Sequence, residues 1–171
     1  STLSPSSAAS DVYKRQNFNC PGQTVIAGES SAVAKACESL KEAGAKRAIM
    51  LKVSAPFHSV LMEPAAKRLK AVLDEIEIKD AEIPVIANFS ARPEVKADEI
   101  RENLVAQAAH SVRWEESVRV LLAEGTDCVV ECGPGTVLSG FMRKIDKTVS
   151  SYHAEDIETI QNTVNALKGE K

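Results

Sequence analysis

Short runs rich in β-branched residues alternate with segments of helical period along most of the chain, and this alternation restricts the possible folds more than any other feature. The runs are strand-sized and are bounded by glycine, proline or polar residues. Between them, apolar residues recur every three or four positions, as in a helix with one buried face. Repeated alternation of this kind predicts an α/β fold with parallel strand pairing. The predicted strands cover residues 23–27, 47–53, 83–88, 127–132 and 149–152.

Capping residues and helix breakers place the predicted helices. Ser30 or Ser31 begins the first helix, and Gly44 ends it. A later helix carries Trp114 and ends near Gly125. The remaining predicted helices cover residues 61–76, 97–109, 137–145 and 157–167.

Composition excludes several classes of function. With 171 residues, of which 44% are hydrophobic, the chain can form one domain with a core, or part of one. A net charge of −3 leaves no basic excess to neutralise a phosphate backbone, so nucleic acid is not an expected partner. The apolar runs are too short to cross a membrane and the N-terminus lacks a signal-peptide pattern. We therefore expect a cytoplasmic protein without a membrane partner.

The four cysteines give no sign of a metal centre or a disulfide framework. They are widely spread, none forms a C-x-x-C pair, and none lies beside a histidine at metal-ligand spacing. We interpret them as reduced thiols and predict no metal site. The four are Cys20, Cys37, Cys128 and Cys132.

Residues 1–16 differ from the rest of the chain. They are rich in serine and show neither a strand period nor a helix period. We interpret residues 1–16 as a non-native or disordered extension, and we expect orderly structure to begin at Asn17.

Of the three histidines, His58 is the best candidate for a catalytic group. It lies where a predicted strand ends and a predicted helix begins, and clefts in α/β sheets form outside the carboxyl ends of strands. His110 and His153 have no accompanying motif, and we interpret them as ordinary surface or core residues.

The residues around His58 occur in a recognisable string. The sequence Val-Ser-Ala-Pro-Phe-His-Ser-Val-Leu-Met at 53–62 resembles the histidine motif of malonyl-CoA:acyl-carrier-protein transacylases and of polyketide acyltransferase domains. Three further segments agree with this family in order and spacing, and the likeness extends from Asn17 to about Leu167. They are Asn-Phe-Asn-Cys-Pro-Gly-Gln at 17–23, Val-Arg-Trp at 112–114, and Glu-Cys-Gly-Pro-Gly at 131–135.

The resemblance implies a chemistry for His58. In this family a serine within a G-x-S-x-G turn accepts malonyl from malonyl-CoA and then passes it to the phosphopantetheine thiol of acyl carrier protein. A hydroxyl is a weak nucleophile at neutral pH unless an adjacent base takes its proton, and by resemblance His58 is that base. The family functions in fatty-acid biosynthesis. Both acyl carriers are substrates, so we expect no further cofactor.

Gln107 is the expected partner of His58. It lies on or beside the apolar stripe of its helix, where a buried amide needs a hydrogen-bond partner, although periodicity alone equally allows a glutamine that faces solvent. The family has a glutamine at this position whose amide or main-chain carbonyl orients the histidine. The resemblance favours the buried alternative.

Three other residues are candidates for substrate contact. In related acyltransferases an aromatic residue directly before the histidine accompanies malonyl transfer, so Phe57 indicates malonyl as the substrate; an ordinary core phenylalanine is the alternative. Asn17 and Asn19 match loop asparagines that line the family's cleft, although turn residues have the same appearance. We interpret the Gly-Pro-Gly turn at 133–135 as structural, because it lacks phosphate-loop spacing.

The chain departs from the family where the nucleophile is concerned. No G-x-S-x-G occurs in it, and the residues for the oxyanion hole and for binding the malonyl carboxylate are missing too. The resemblance implies a partial α/β-hydrolase-like core at 54–171 joined to a remnant, 17–53, of a ferredoxin-like subdomain. Such a fragment would expose sheet edges and apolar faces, so we expect low solubility.

Two alternatives to a transferase half stay open. One is a non-catalytic fragment that still binds acyl carrier protein. The other is a cysteine-dependent hydrolase that uses Cys20 or Cys132 with His58, although neither cysteine opens a helix at an evident elbow.

Overall fold

A computed structural model of the protein describes residues 13–51, 53 and 55–169, which form a mixed α/β fold. The strands are β1 (Tyr13–Cys20), β2 (Gln23–Gly28), β3 (Val85–Ile86), β4 (Pro93–Glu94), β5 (Cys128–Cys132) and β6 (Ser150–Ala154). The helices are α1 (Ser30–Glu42), α2 (Glu63–Asp74), α3 (Ala97–Gln107), α4 (Trp114–Ala123), α5 (Val137–Ile145) and α6 (Ile157–Lys168). A single 3₁₀ turn, Val60–Met62, precedes α2.

Strands β1 and β2 form an antiparallel hairpin with Cys20 opposite Gln23. Pro21 followed by Gly22 at φ +78° is typical of a type II turn. The strand β1 begins at Tyr13, so residues 13–16 of the predicted extension are part of the hairpin. The sequence pattern missed them because main-chain pairing requires no apolar period. Residues 1–12 of that extension lie outside the described residues.

Strand pairing follows the prediction in one place and contradicts it in two. Strands β5 and β6 pair in parallel, with Cys128 opposite Ser150 and Cys132 opposite Ala154. Helix α5 lies between them in the chain and makes the crossover that parallel strands need. The other two described pairs, β1 with β2 and β3 with β4, are antiparallel because short turns join their strands.

The predicted strand at 47–53 has no strand partner among the described residues. Ile49, Met50, Leu51 and Val53 are instead more than half exposed. The strand predicted at 83–88 is reduced to the two residues of β3. An apolar run becomes a strand only where a neighbouring edge supplies hydrogen bonds, and the described residues supply none beside 47–51.

The predicted helices all form, but their apolar stripes are incompletely covered. On α6 the stripe is exposed, with Ile157 88% and Leu167 55% accessible. The buried apolar residues that the structure describes are mostly small: Cys20, Ala36, Ala66, Ala91, Ala109, Val118 and Met142. Helical period therefore predicted helix formation correctly, whereas burial of the stripe depends on a packing partner.

A short bridge ties the hairpin to the rest of the chain. The main-chain N–H of Phe18 donates to Val112 O at 2.9 Å, and Val112 N–H donates to Gln16 O at 2.8 Å. Helices α4 and α5 pack against β1 as well. The hairpin that carries Asn17 and Asn19 is thus attached directly in front of α4.

No helix among the described residues combines the length and the apolar character needed to span a membrane.

Candidate active site

His58 lies in a tight turn just before the 3₁₀ turn and α2. Its backbone has φ +56°, in the left-handed region. Histidine is found there more often than most residues other than glycine, but the conformation still costs roughly 1–2 kcal/mol in an L-residue. Such strain persists only where the surroundings hold it, and it is frequent at functional sites.

The His58 ring is anchored to the end of α3. Its Nδ1 lies 2.9 Å from the main-chain oxygen of Gln107, which is 49 residues further along the chain. A carbonyl oxygen can only accept, so Nδ1 is the protonated nitrogen in this contact. The neutral ring then has its lone pair on Nε2, which is the nitrogen free to act as a base.

Gln107 contributes through its backbone. It is the last residue of α3, and the final carbonyls of a helix have no partner within the helix. The side chain is half-buried, and its amide makes no hydrogen bond with His58 among the described contacts. The sequence analysis paired these two residues and left amide and carbonyl as alternatives; the contact in the structure uses the carbonyl.

Ser59 is a buried residue beside His58 to which the sequence analysis gave no role. Its hydroxyl donates to the main-chain oxygen of Pro56 at 2.6 Å, and the residue is 5% exposed. A serine directly after a candidate base was the only signal of this in the sequence.

Phe57 is 47% exposed, so it is not an ordinary core phenylalanine in the part of the chain that the structure describes. It is adjacent to His58 in the same turn.

Asn17 and Asn19 lie on β1 rather than in a loop. Asn19 is buried, and the Oδ1 atom of Asn17 is buried without a hydrogen-bond partner among the described residues. A buried unpaired acceptor is uncommon in a folded protein. Among the described residues, no hydrogen bond joins either asparagine to His58.

His110 shares the end of α3 with His58. Its Nδ1 lies 2.7 Å from the oxygen of Ala106, the carbonyl preceding the one that His58 uses, and its ring lies 4.9 Å from that of Phe89. Two histidines thus bind consecutive carbonyls of one helix terminus. Their spacing in the sequence gave no indication of this.

Glu131 organises the turn after β5. Its carboxylate accepts hydrogen bonds from the N–H groups of Leu138 and Ser139, at 3.0 and 2.8 Å, and from the Ser139 hydroxyl at 2.7 Å. Burial raises the pKa of Glu131, but these hydrogen bonds outweigh it, and the pKa lies below its ordinary value. The Gly-Pro-Gly turn therefore leads into a helix start that is already capped by a carboxylate, consistent with a structural role.

Cys20 does not have the environment of a nucleophile. It is buried and free, and burial raises the pKa of its thiol. A reactive cysteine needs its thiolate at neutral pH, which burial disfavours. Cys132 is exposed, and its sulfur lies 4.0 Å from the main-chain oxygen of Val130.

Two open cavities that the described residues form are lined by none of the predicted site residues. One of about 450 Å³ is lined by residues that include Phe89, Arg92 and Asn103, and one of about 400 Å³ by residues that include Phe18 and Glu116. Among the described residues, no group of three or more histidine, cysteine, aspartate or glutamate side chains is arranged to hold a metal ion.

The described residues thus form a mixed α/β fold in which the Nδ1 atom of His58 is held against the main-chain oxygen of Gln107. No family model matches the chain. It is 49% identical over 154 residues to a malonyl CoA-acyl carrier protein transacylase from Bacillus subtilis (strain 168), covering 90% of this chain and 49% of the relative.

Solved structures agree with this relationship. The crystal structure of malonyl CoA-acyl carrier protein transacylase from Clostridium perfringens superposes with a TM-score of 0.88 at 37% identity, over 92% of this chain and 50% of that one. A malonyl-transacylase in complex with its type II PKS acyl-carrier protein gives 0.86 at 41% identity, over 93% and 50%.

The chain is homologous to malonyl CoA-acyl carrier protein transacylases and matches the C-terminal part of these proteins. It spans about half the length of the curated relatives it matches.

Proposed function

We propose that the chain supplies the base-bearing half of an [acyl-carrier-protein] S-malonyltransferase of fatty-acid biosynthesis. The whole protein would transfer malonyl from malonyl-CoA to the phosphopantetheine thiol of acyl carrier protein. The observation that carries this proposal is the 2.9 Å contact between His58 Nδ1 and Gln107 O, because it leaves Nε2 as the acceptor that the chemistry needs.

His58 would act in both half-reactions. Nε2 takes the proton of a serine hydroxyl while the serine oxygen attacks the malonyl thioester, and the ring then returns that proton to the departing CoA sulfur. In the second half-reaction Nε2 takes the proton of the carrier thiol, whose sulfur attacks the serine ester, and the serine oxygen regains the proton. The serine belongs to the other half of the protein, since this sequence has no G-x-S-x-G.

The carbonyl of Gln107 would serve the base as a fixed acceptor. When Nε2 gains a proton, the hydrogen bond from Nδ1 becomes charge-assisted and therefore stronger. A main-chain oxygen at a helix end moves little, so the ring keeps one orientation throughout the cycle. The third member of a catalytic triad orients the histidine in the same way.

Phe57, Asn17 and Asn19 are the proposed substrate-contacting residues. The half-exposed ring of Phe57 would fill the space that a branched acyl group needs, which favours malonyl. The Oδ1 atom of Asn17 is a buried acceptor without a hydrogen-bond partner among the described residues. A substrate group or a residue of the other half would donate a hydrogen bond to it.

The names of the relatives support the proposed partners. The Bacillus subtilis relative is named for malonyl CoA and acyl carrier protein, and one structural neighbour is a complex with an acyl-carrier protein. We accordingly propose malonyl-CoA and acyl carrier protein as substrates, no cofactor beyond them, and action in the cytoplasm.

We further propose that residues 54–171 are part of an α/β-hydrolase-like core and that residues 17–53 are a remnant of a ferredoxin-like subdomain. The parallel pair β5–β6 with its crossover helix supports the first assignment, and the hairpin followed by α1 supports the second.

The deciding experiment restores the missing half. The N-terminal half of the Bacillus subtilis relative, joined ahead of Asn17, should transfer labelled malonyl from malonyl-CoA to the carrier protein. In that chimera His58→Ala should lower the transfer rate by about 10²–10⁴-fold, the usual contribution of a general base. His110→Ala is the matched control, because His110 binds the same helix end. Near-normal turnover without His58 would overturn the assignment.

The chimera separates this proposal from a non-catalytic carrier-binding fragment. A fragment of that kind would bind acyl carrier protein, yet it would give no transfer even when the serine-bearing half is present. The observation in favour of this alternative is the similarity of the chain to a malonyl-transacylase whose structure was solved in complex with an acyl-carrier protein.

A further inference from the structure

The turn that carries His58 must hold a backbone conformation that histidine does not favour. A left-handed φ of +56° reverts to the extended or right-handed region unless neighbouring contacts oppose it. One contact is the bond from the ring to Gln107 O. That bond holds the ring directly but restrains the backbone only indirectly, through the side-chain torsions.

The backbone contact comes from Ser59. Its hydroxyl donates to Pro56 O at 2.6 Å, and this bond spans the turn whose third residue is His58. The main-chain oxygen of Ser59 accepts from Met62 N–H at 2.9 Å, which begins the 3₁₀ turn leading to α2. Ser59 therefore joins the two sides of the turn and attaches them to the helix behind it.

Because Ser59 is buried, its hydroxyl bond to Pro56 favours one backbone conformation of the turn over the others. Ser59 is 5% exposed, so water competes poorly for its hydroxyl, and breaking the bond to Pro56 O would leave a buried polar group unpaired. Alternative backbone conformations of the turn would break it. The hydroxyl thus penalises the conformations in which His58 would leave its left-handed geometry.

We infer that Ser59 is a positioning residue for the base: through its hydroxyl bond to Pro56 it holds the His58 backbone so that Nδ1 reaches Gln107 O and Nε2 faces the reacting hydroxyl. This inference rests on the proposed function only for the role of Nε2. The effect on the ring itself is independent of catalysis and can be measured in the chain as it is.

The test uses the three histidines as probes. In the chain labelled with ¹⁵N-histidine, solid-state NMR of sedimented protein distinguishes a ring protonated on Nδ1 from one protonated on Nε2. His58→Gln assigns the His58 signals. His110 is an internal reference, because its Nδ1 binds the adjacent carbonyl of α3.

Ser59→Ala should shift the ratio of the two neutral forms of His58 about fivefold away from Nδ1–H, the change that one ordinary hydrogen bond produces, and leave His110 unchanged. Ser59→Thr, which keeps the hydroxyl, should restore the ratio. Ser117→Ala is the matched control. Like Ser59, Ser117 is buried and its hydroxyl donates to a main-chain oxygen, that of Arg113 at 2.9 Å, but it lies in α4. It should leave His58 unchanged.

Two results would overturn the inference. One is an unchanged His58 ring in Ser59→Ala. The other is an equal change at His110, which would show general loss of structure. In the chimera, Ser59→Ala should lower kcat with KM little changed. If the ring shifts as expected but the chimera has no activity with any variant, the proposed function fails while the positioning role of Ser59 stands.

Discussion

His58 Nδ1 and the main-chain oxygen of Gln107 lie 2.9 Å apart, although they come from a turn and from a helix end separated by 49 residues. The helix end offers a carbonyl with no partner inside α3. The contact therefore gives the His58 ring a fixed hydrogen-bond acceptor, and it gives one of the last carbonyls of α3 a donor.

This geometry predicts that the Gln107 side chain is dispensable for orienting His58. Gln107→Ala keeps the main-chain oxygen in place, and alanine extends a helix at least as well as glutamine. In the chimera the transfer rate should change by no more than about threefold, far less than the loss that removing a general base produces. A loss as large as that of His58→Ala would mean that the amide orients the ring.

Phe57 should set the choice of acyl group. Replacing it by serine removes a ring that is half-exposed beside the base and opens space for a methyl branch. The ratio of kcat/KM for methylmalonyl-CoA to that for malonyl-CoA should rise by about 10- to 200-fold, the range that one methyl group commands in an apolar pocket. Phe89→Leu, which alters an aromatic residue near His110 instead, is the control. An unchanged ratio would remove Phe57 from the substrate site.

Glu131 should make stability depend on pH. Hydrogen bonds from Ser139 and Leu138 hold its pKa below the ordinary value. A depressed carboxyl pKa contributes stability above the unfolded value, about 4.3, and the contribution is lost as pH falls through the folded pKa. Glu131→Gln should lower the free energy of unfolding by about 1 kcal/mol at pH 7, as loss of a helix cap does.

The difference between Glu131→Gln and the wild type should begin to shrink as the pH falls below the unfolded value, about 4.3, where the unfolded chain takes up a proton, and it should be lost once the pH has fallen through the lower folded pKa. Urea unfolding at several pH values measures it. Glu77→Gln is the control, since Glu77 is exposed and has no hydrogen bond among the described contacts. A constant difference across the pH range would show that ionisation of Glu131 contributes nothing.

The isolated chain should self-associate. Exposed apolar side chains on 47–51 and along α6 form surfaces that a folded monomer seldom presents to water. Light scattering should show aggregates at micromolar concentration, and the N-terminal half of a relative should reduce them. A monodisperse monomer that melts cooperatively would contradict this prediction.

Periodicity and breakers predicted the described helices, because a helix satisfies its own main-chain hydrogen bonds and its limits depend on local residues such as Gly44 and Gly125. Strands were predicted less well. The run at 47–53 has the composition of a strand, yet a strand depends on an edge contributed by another part of the chain. For the same reason the pairing of residues 13–16 with β2 was missed.

In the candidate site, too, local features could be predicted from the sequence and contacts between distant segments could not. By itself the sequence determined which residue types are available, a histidine after Pro-Phe and a glutamine at the end of a helix, because these are local strings. Only the tertiary structure decided that the main-chain oxygen of Gln107, rather than its amide, meets His58, and that Ser59 closes the turn beneath it. Contacts between distant segments depend on how helices and turns pack in space, and a local pattern of residues does not encode those distances.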